Sequence, residues 1–395
     1  MKIHLITHMS AFPFDAAAAY RIRMIGKSLI KSGHSFDVYT NTIHYNSLNT
    51  DAKGQFDGIP YVYLHGTIEL NRSFLIKWLL FVKGLFKLVH ILFEFDKRKD
   101  IVYVYANGYN ESFNLFVLLF CKLFGLKVVQ EINEWQHNDL NQRWVKFLME
   151  GPVTRWSDGV VAISHDIKEK VLICNPNLKT IVIPVLGDFR EVRSDEIIIQ
   201  EVSDSIQYCF WMGLVDGYIQ DVLFVINACA RSFHDGVDLH VVIAGGFSEE
   251  SKNRIIEEAE QCCFPVERIR LLGYVSEVQL DCWISRAKFF MVPMWISEKS
   301  KYRFPTKISF FMFAGKPLIT CAIGELGRIL EDKKNVLFFR PSDIDDASAK
   351  IKILFDDKRL YESISENTKL FANEKLCYTS YSDVFGDFFQ DIIGK

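Results

Sequence analysis

Four cations fall within nine positions, Lys299, Lys301, Arg303 and Lys307, and the run that contains the last two reads YRFPTKISFFMFAGKPLIT from Tyr302 to Thr320. Pro305 near a helix start and Gly315 at its end are the expected punctuation of a short apolar helix. A helix start has free N–H groups and a positive dipole end, so cations around it make an anion site. Lys307 would stand in the first turn, where a positive charge opposes the dipole, and an anion nearby removes that conflict. The preceding segment, Ala287 to Met294 (AKFFMVPM), reads as a buried strand. The anion site would then open at that strand's carboxyl end, where open α/β sheets bind ligands. A phosphate-bearing ligand is the expectation.

The elements that must hold this site are short β-rich apolar runs alternating with helical stretches, a pattern of parallel α/β sheets. Strands are expected at Lys2–Met9, Ser35–Asn41, Tyr61–Gly66, Ile101–Ala106, Lys127–Asn133, Gly159–Ser164 and Thr180–Val185 in the first half. In the second half they are expected at Ile206–Gly213, Leu239–Gly246, Arg268–Val275, Ala287–Met294, Lys316–Cys321 and Asn335–Arg340. With 395 residues the chain is too long for one ordinary core. The fold class expected is α/β, with two Rossmann-like, doubly wound parallel-sheet domains facing a cleft. The charged stretch Leu186 to Ser205 marks the boundary, giving domains 1–186 and 187–377 and a C-terminal helix, 378–395, packing back on the first.

A net charge of −3 lacks the basic footprint of nucleic-acid binding. Nine scattered cysteines with no CxxC argue against a zinc ribbon or redox dithiol and for a reduced, cytoplasmic setting. MKIHLITHM enters a strand at once, without signal-peptide architecture. The most membrane-like stretch is Phe74–Phe95, but Lys77, Lys83, Lys87, His90 and Glu94 interrupt it, which argues against a transmembrane helix. It reads either as a helix lying in the membrane interface or as one packed on the sheet with lysines on its wet edge. The acidic runs Asp343-Ile344-Asp345-Asp346 and Asp356-Asp357 read as a helix cap and a solvated face, and no metal is expected.

Seven segments in order resemble the GT-B glycosyltransferases of the retaining family-4 type found in bacterial surface-polysaccharide synthesis. They are RIRMIGKSLIKSGHSFDVYT (Arg21–Thr40), FGLKVVQEINE (Phe124–Glu134), WSDGVVAIS (Trp156–Ser164), Phe210–Gly213, VVIAGG (Val241–Gly246), LGYV (Leu272–Val275) and Pro305–Pro317. The resemblance implies transfer of a sugar from a nucleotide-diphosphate sugar, of UDP or GDP type, to an acceptor. The donor would sit on the second domain and the acceptor on the first, with retention and without metal or other cofactor. Basic side chains and a helix start would neutralise the leaving diphosphate.

Residue by residue, the resemblance makes Gly213, Gly245, Tyr274, Glu298, Lys299, Lys301, Arg303, Thr306 and Lys307 candidates for donor binding. Glu131, Asn133 and Glu134, ending a strand, are candidates to orient or activate the acceptor, or alternatively form a helix cap or a domain-interface salt bridge. His8, Arg21 and His137 are candidates for acceptor contact, against packed or surface roles. The family's two glutamates, eight positions apart, fall here on Tyr302 and Phe310, and phenylalanine cannot accept ribose hydrogen bonds. Gly213 is followed by Leu214, and Gly217-Tyr218-Ile219-Gln220 holds no cation where the family places basic residues. Ala16 to Ala19 likewise replace glycines of the family's first loop.

The reading that follows is a cytoplasmic, peripherally membrane-associated transferase with an atypical donor pocket and a lipid-diphosphate-linked glycan acceptor. Its rivals are a non-catalytic scaffold of the same fold and a nucleotide-sugar epimerase. The donor sugar and base, the linkage and the oligomeric state stay open.

Overall fold

The computed structural model describes every residue except 15–16, 44–45, 47, 70–72, 106–110, 136–142, 189–205 and 395, and the side chains of 111 and 144. The chain forms two compact units. One comprises Met1–Leu186, Tyr302–Phe304 and Cys377–Lys395; the other comprises Gly187–Lys301 and Pro305–Leu376. Tyr302–Phe304, expected wholly within the second domain, therefore cluster with the first.

The first unit is built on eight strands. These are β1 (Lys2–Thr7), β2 (Ser35–Thr40), β3 (Lys53–Phe56), β4 (Ile59–Tyr63), β5 (Asp100–Tyr105), β6 (Lys127–Ile132), β7 (Gly159–Ala162) and β8 (Lys179–Val182). Their order in the sheet is β3-β4-β2-β1-β5-β6-β7-β8. All neighbours are parallel except β3 and β4, an antiparallel edge pair in which Phe56 faces Ile59. Its turn is Asp57-Gly58, both at positive φ (49° and 78°), the backbone that a two-residue hairpin with right-handed strand twist requires. The sequence reading missed β3, although this dipeptide is a hairpin signal. Central strands are covered on both faces, so β1 and β5 are buried almost throughout and read as unbroken apolar runs.

Helices α1 (Ala17–Lys31), α2 (Phe74–Glu94), α3 (Glu111–Phe124), α4 (Arg143–Leu148), α5 (Thr154–Trp156) and α6 (His165–Cys174) connect the strands. On one face of the sheet, α1 sends Ile22, Ile25 and Leu29 into a core with Ile3, Leu5, Val38 and Tyr103. On another core, α2 and α3 contribute Leu88, Ile91, Leu92, Val117 and Leu118 against Val102 and Val104. Leu75, Leu79, Phe86 and Phe93 of α2 are nevertheless exposed. Thus one face of α2 packs on the sheet, as one of the two sequence readings had it, while other apolar side chains stay in solvent.

The second unit has six strands, β9 (Tyr208–Met212), β10 (His240–Ala244), β11 (Ile269–Gly273), β12 (Phe289–Val292), β13 (Leu318–Thr320) and β14 (Leu337–Phe338). Their order is β11-β10-β9-β12-β13-β14, all parallel. The helices are α7 (Ile219–His234), α8 (Glu249–Gln261), α9 (Glu277–Arg286), α10 (Glu298–Tyr302), α11 (Lys307–Phe313), α12 (Glu325–Ile329), α13 (Ile344–Asp356) and α14 (Lys358–Phe371). Caps explain several starts: Ser276 and Gln279 close a reciprocal capping box on α9. Asp343 and Asp357 cap α13 and α14 through the Asp346 and Leu360 N–H groups. The two acidic runs thus each supply a helix cap. The final helix, α15 (Ser382–Ile393), returns to the first unit and adds Phe385, Phe388, Phe389 and Ile392 to its core.

Candidate functional site

The carboxyl ends of β9, β10 and β11 in the second unit meet in a cradle of bare backbone. Gly213 donates its N–H to the Ala244 carbonyl (3.0 Å), Gly245 to Gly273 (2.8 Å) and Val215 to Gly246 (3.0 Å). A Cβ at Gly245 would lie 1.8 Å from the Gly213 carbonyl oxygen, and its φ of 128° is one that side chains avoid. Gly213 and Gly245 therefore stand together for a physical reason: no side chain fits where these two strand ends touch. Tyr274, 83% exposed, lays its ring over Gly246, whose Cβ would come within 2.6 Å of it. The result is an open aromatic face beside a glycine floor.

Lys307 reaches this cradle from α11. Its ammonium nitrogen lies 3.9 Å from the ring centre of Trp211 and 5.5 Å from that of Tyr218. A Cβ built on Gly213 would sit 3.3 Å from the same nitrogen. Two aromatic faces hold a cation by their negative quadrupoles and limit its movement. The loop after Gly213 has no cation of its own in sequence; in space, Lys307 puts one there. Trp211 and Tyr218 were missed by the sequence reading, because Trp211 looks like any core position of β9 and Tyr218 like a turn residue. Their only signal was an aromatic on either side of Gly213.

The other basic residues are arranged differently from expectation. Glu298 to Tyr302 form the short helix α10, with Glu298, Lys299 and Lys301 exposed. Arg303 belongs to the first unit, so the four cations are divided, with Lys299, Lys301 and Lys307 in the second. Thr306 is the N-cap residue of α11 but makes no side-chain cap, its φ and ψ (−56°, −35°) being helical already. Tyr302, placed by sequence at the first glutamate position, is buried in the first unit, where its carbonyl accepts from the Ser164 hydroxyl (3.0 Å). Phe310 is half-buried on α11, while its neighbour Phe311 stacks on Phe290 at 4.1 Å and 4°.

In the first unit two of the candidates, Arg21 and Glu131, contact each other. Glu131, a candidate for catalysis, is buried on β6 with both oxygens occupied. The Arg21 Nε donates to Oε1 (2.6 Å), the Nη2 nitrogen lies 2.6 Å from the same oxygen as an ion pair, and the Tyr103 hydroxyl donates to Oε2. Burial raises the pKa of this carboxyl, while Arg21, the next cause, and the Tyr103 hydrogen bond act to lower it. Arg21, a candidate for acceptor contact, also donates from Nη1 to the Pro184 carbonyl (2.7 Å) and from Nη2 to the Ile183 carbonyl (2.9 Å). These contacts tie α1 and β6 to the chain just after β8.

Asn133 is buried and Glu134 half-buried at the end of β6. His8 follows β1, buried, with its ring 4.6 Å from that of Phe113. His137 lies outside the described residues. Among the described residues no group of three or more His, Cys, Asp or Glu side chains is arranged to hold a metal. All nine cysteines are free.

Residues 207–357 match the sequence model of the family "Glycosyl transferases group 1". No curated protein sequence matches the chain. Among solved structures, sucrose-phosphate synthase from Thermosynechococcus elongatus is similar at a TM-score of 0.73 and 13% identity, over 99% of both chains. Anabaena HepE (Alr3699), solved in complex with UDP, gives 0.69 and 13%, over 99% of this chain and 100% of its own. The lipopolysaccharide outer core galactosyltransferase WaaB, in its apo form, gives 0.66 and 15%, over 99% of both chains. At such identities the likeness speaks for the fold, and the family match speaks for the segment that builds the glycine cradle. The chain thus has the GT-B fold, and residues 207–357 of its second unit are similar to the group 1 glycosyl transferases.

Proposed function

We propose that this chain is a metal-independent, retaining glycosyltransferase that takes a sugar from a UDP-type donor bound on its second unit. The observation that carries this reading is the Lys307 ammonium, held by Trp211 and Tyr218 beside Gly213. A diphosphate laid along the glycine cradle would meet that ammonium, which offsets the charge that develops as the sugar–phosphate bond breaks. Lys299 and Lys301 on the preceding turn add positive field. The open ring of Tyr274 suits stacking of a nucleobase, and HepE, of the same fold, was solved with UDP. The acceptor hydroxyl would lose its proton to the donor phosphate, which is consistent with a Glu131 that is fully engaged elsewhere. Asn133 and Glu134, at the carboxyl end of β6, are the side chains left to orient the acceptor, together with His8.

A glycan acceptor linked to lipid diphosphate, met at the inner face of the cell membrane, completes the reading and suits a role in surface-polysaccharide synthesis. A specific observation favours a second reading, a scaffold without turnover. Phe310 stands where the resemblance calls for a ribose-binding glutamate, a loss of about 1–3 kcal/mol of donor affinity. Titration calorimetry with UDP, GDP and their sugars, on the parent and on Lys307→Ala, separates the two. UDP binding that weakens about tenfold or more in the variant supports the transferase, as expected for a lost charge-assisted contact. A folded protein that binds none of these nucleotides refutes it and leaves the scaffold.

A further inference from the structure

Helix α2 is apolar on opposite faces. Gly84, Leu88, Ile91 and Leu92 are buried toward the sheet. Leu75, Leu79, Phe86 and Phe93 are 65%, 53%, 74% and 58% exposed, with Trp78 at 53% beside them. Those four positions are spaced so that they fall on one stripe of a 3.6-residue helix, with half-buried Val82 and Val89 between them. At 1.5 Å per residue the stripe runs about 27 Å. It continues onto α3, where Phe120 and Phe124 meet Phe93 at 5.2 and 4.7 Å and Leu123 is 80% exposed. An apolar stripe of this extent left exposed on a helix marks an interaction surface.

Two observations identify what covers it. Lys83 and Lys87, one turn apart, flank the stripe, are exposed, and make no ion pair among the described residues. Long cationic side chains beside an apolar stripe can reach lipid phosphates while the stripe enters the acyl boundary. Moreover, no helix among the described residues is long and apolar enough to cross a membrane, so insertion across the bilayer is not available to α2. We propose that α2, with the adjoining end of α3, docks the first unit onto an anionic lipid bilayer, with α2 lying in the plane of the interface. This deepens the reading of a lipid-linked acceptor by naming the surface that brings the first unit to it. The docking itself depends on no feature of the donor cradle.

Co-sedimentation of the full chain with phosphatidylcholine vesicles, with and without a quarter of phosphatidylglycerol, tests it. The parent is expected to bind the anionic vesicles and to be released by salt. Phe86→Glu/Phe93→Ser is expected to lower partitioning about tenfold or more, and Lys83→Glu/Lys87→Glu to remove the anionic preference. These side chains are exposed, so unchanged melting and unchanged UDP titration will show that the variants are folded. Failure of a parent protein to bind anionic vesicles overturns the proposal, as does equal binding by the stripe variant. A concentration-dependent dimer in sedimentation velocity that Phe86→Glu dissolves, without vesicle binding, would assign the face to a second copy. Vesicle binding without UDP binding would keep this docking face and remove the transferase reading.

Discussion

Replacing Arg21 by methionine isolates the buried pair. The Glu131 carboxyl is fully enclosed, and the guanidinium supplies its ion pair and one of its two hydrogen bonds. Removing one partner of such a pair costs about 3–5 kcal/mol, because a charge is left without compensation in a low-dielectric core. The Ile183 and Pro184 carbonyls also lose their donors, each worth about 1 kcal/mol. For a unit of this size each kcal/mol is about 2–4 °C, so with a combined loss of about 5–7 kcal/mol calorimetry should show the first unit's transition falling by roughly 10–28 °C. The effect must depend on pH. The carboxyl's folded-state pKa lies above its ordinary 4.5, and losing Arg21, a lowering influence, pushes it further up. A folded-state pKa above the unfolded one stabilises below the unfolded value and ceases to do so as pH rises through the folded value. The gap between variant and parent should therefore be small near pH 4.5 and widen toward neutrality. Arg21→Met/Glu131→Leu/Tyr103→Phe removes every charge and donor of the cluster and should melt closer to the parent than the single variant does. A single variant that melts with the parent at pH 8, or a gap that narrows with rising pH, would refute this account of the pair.

Gly245→Ala forces a side chain into the Gly213 carbonyl and should cost about 1–3 kcal/mol in the second unit and abolish UDP binding, by calorimetry. Tyr274→Ala removes an exposed ring, so melting should hold while UDP affinity falls by about 1–3 kcal/mol, the range for base stacking; unchanged affinity would count against base stacking there. His65 is buried in the first unit with Nε2 2.9 Å from the Thr42 carbonyl, and desolvation lowers its pKa. The unfolded chain then binds the proton more readily, so His65 contributes stability above pH 6.5 that is lost as pH falls through its folded-state pKa. His65→Gln should flatten the acid side of the melting-temperature profile over that window.

Much of the scaffold was legible because parallel strands buried on both faces write themselves as apolar runs. Strands β2 and β6 begin where the sequence reading put them and end one residue sooner, while β5 begins one residue earlier. Short edge elements were harder: KGQF of β3 carries no alternation, and only Asp57-Gly58 announces it. At the site, Lys307 was readable from its place at a helix start. Its partners were not, since Trp211 lies on a strand nearly a hundred residues earlier and only the sheet order brings β9 beside the incoming α11. The pairing of Arg21 with Glu131 was hidden for the same reason, since only the fold brings α1 against β6, 110 residues apart in sequence.

The return of α15 to the first unit has a consequence for how the molecule is made. Phe385, Phe388, Phe389 and Ile392 complete a core begun by Ile3 and Leu5, whereas the second unit closes at Leu376. On a ribosome, where domains form as their segments emerge, the unit started first is finished last. Until α15 has emerged, the first unit presents an unfilled apolar face, so a chain cut before α15 would carry a sound second unit attached to an incomplete, aggregation-prone first one.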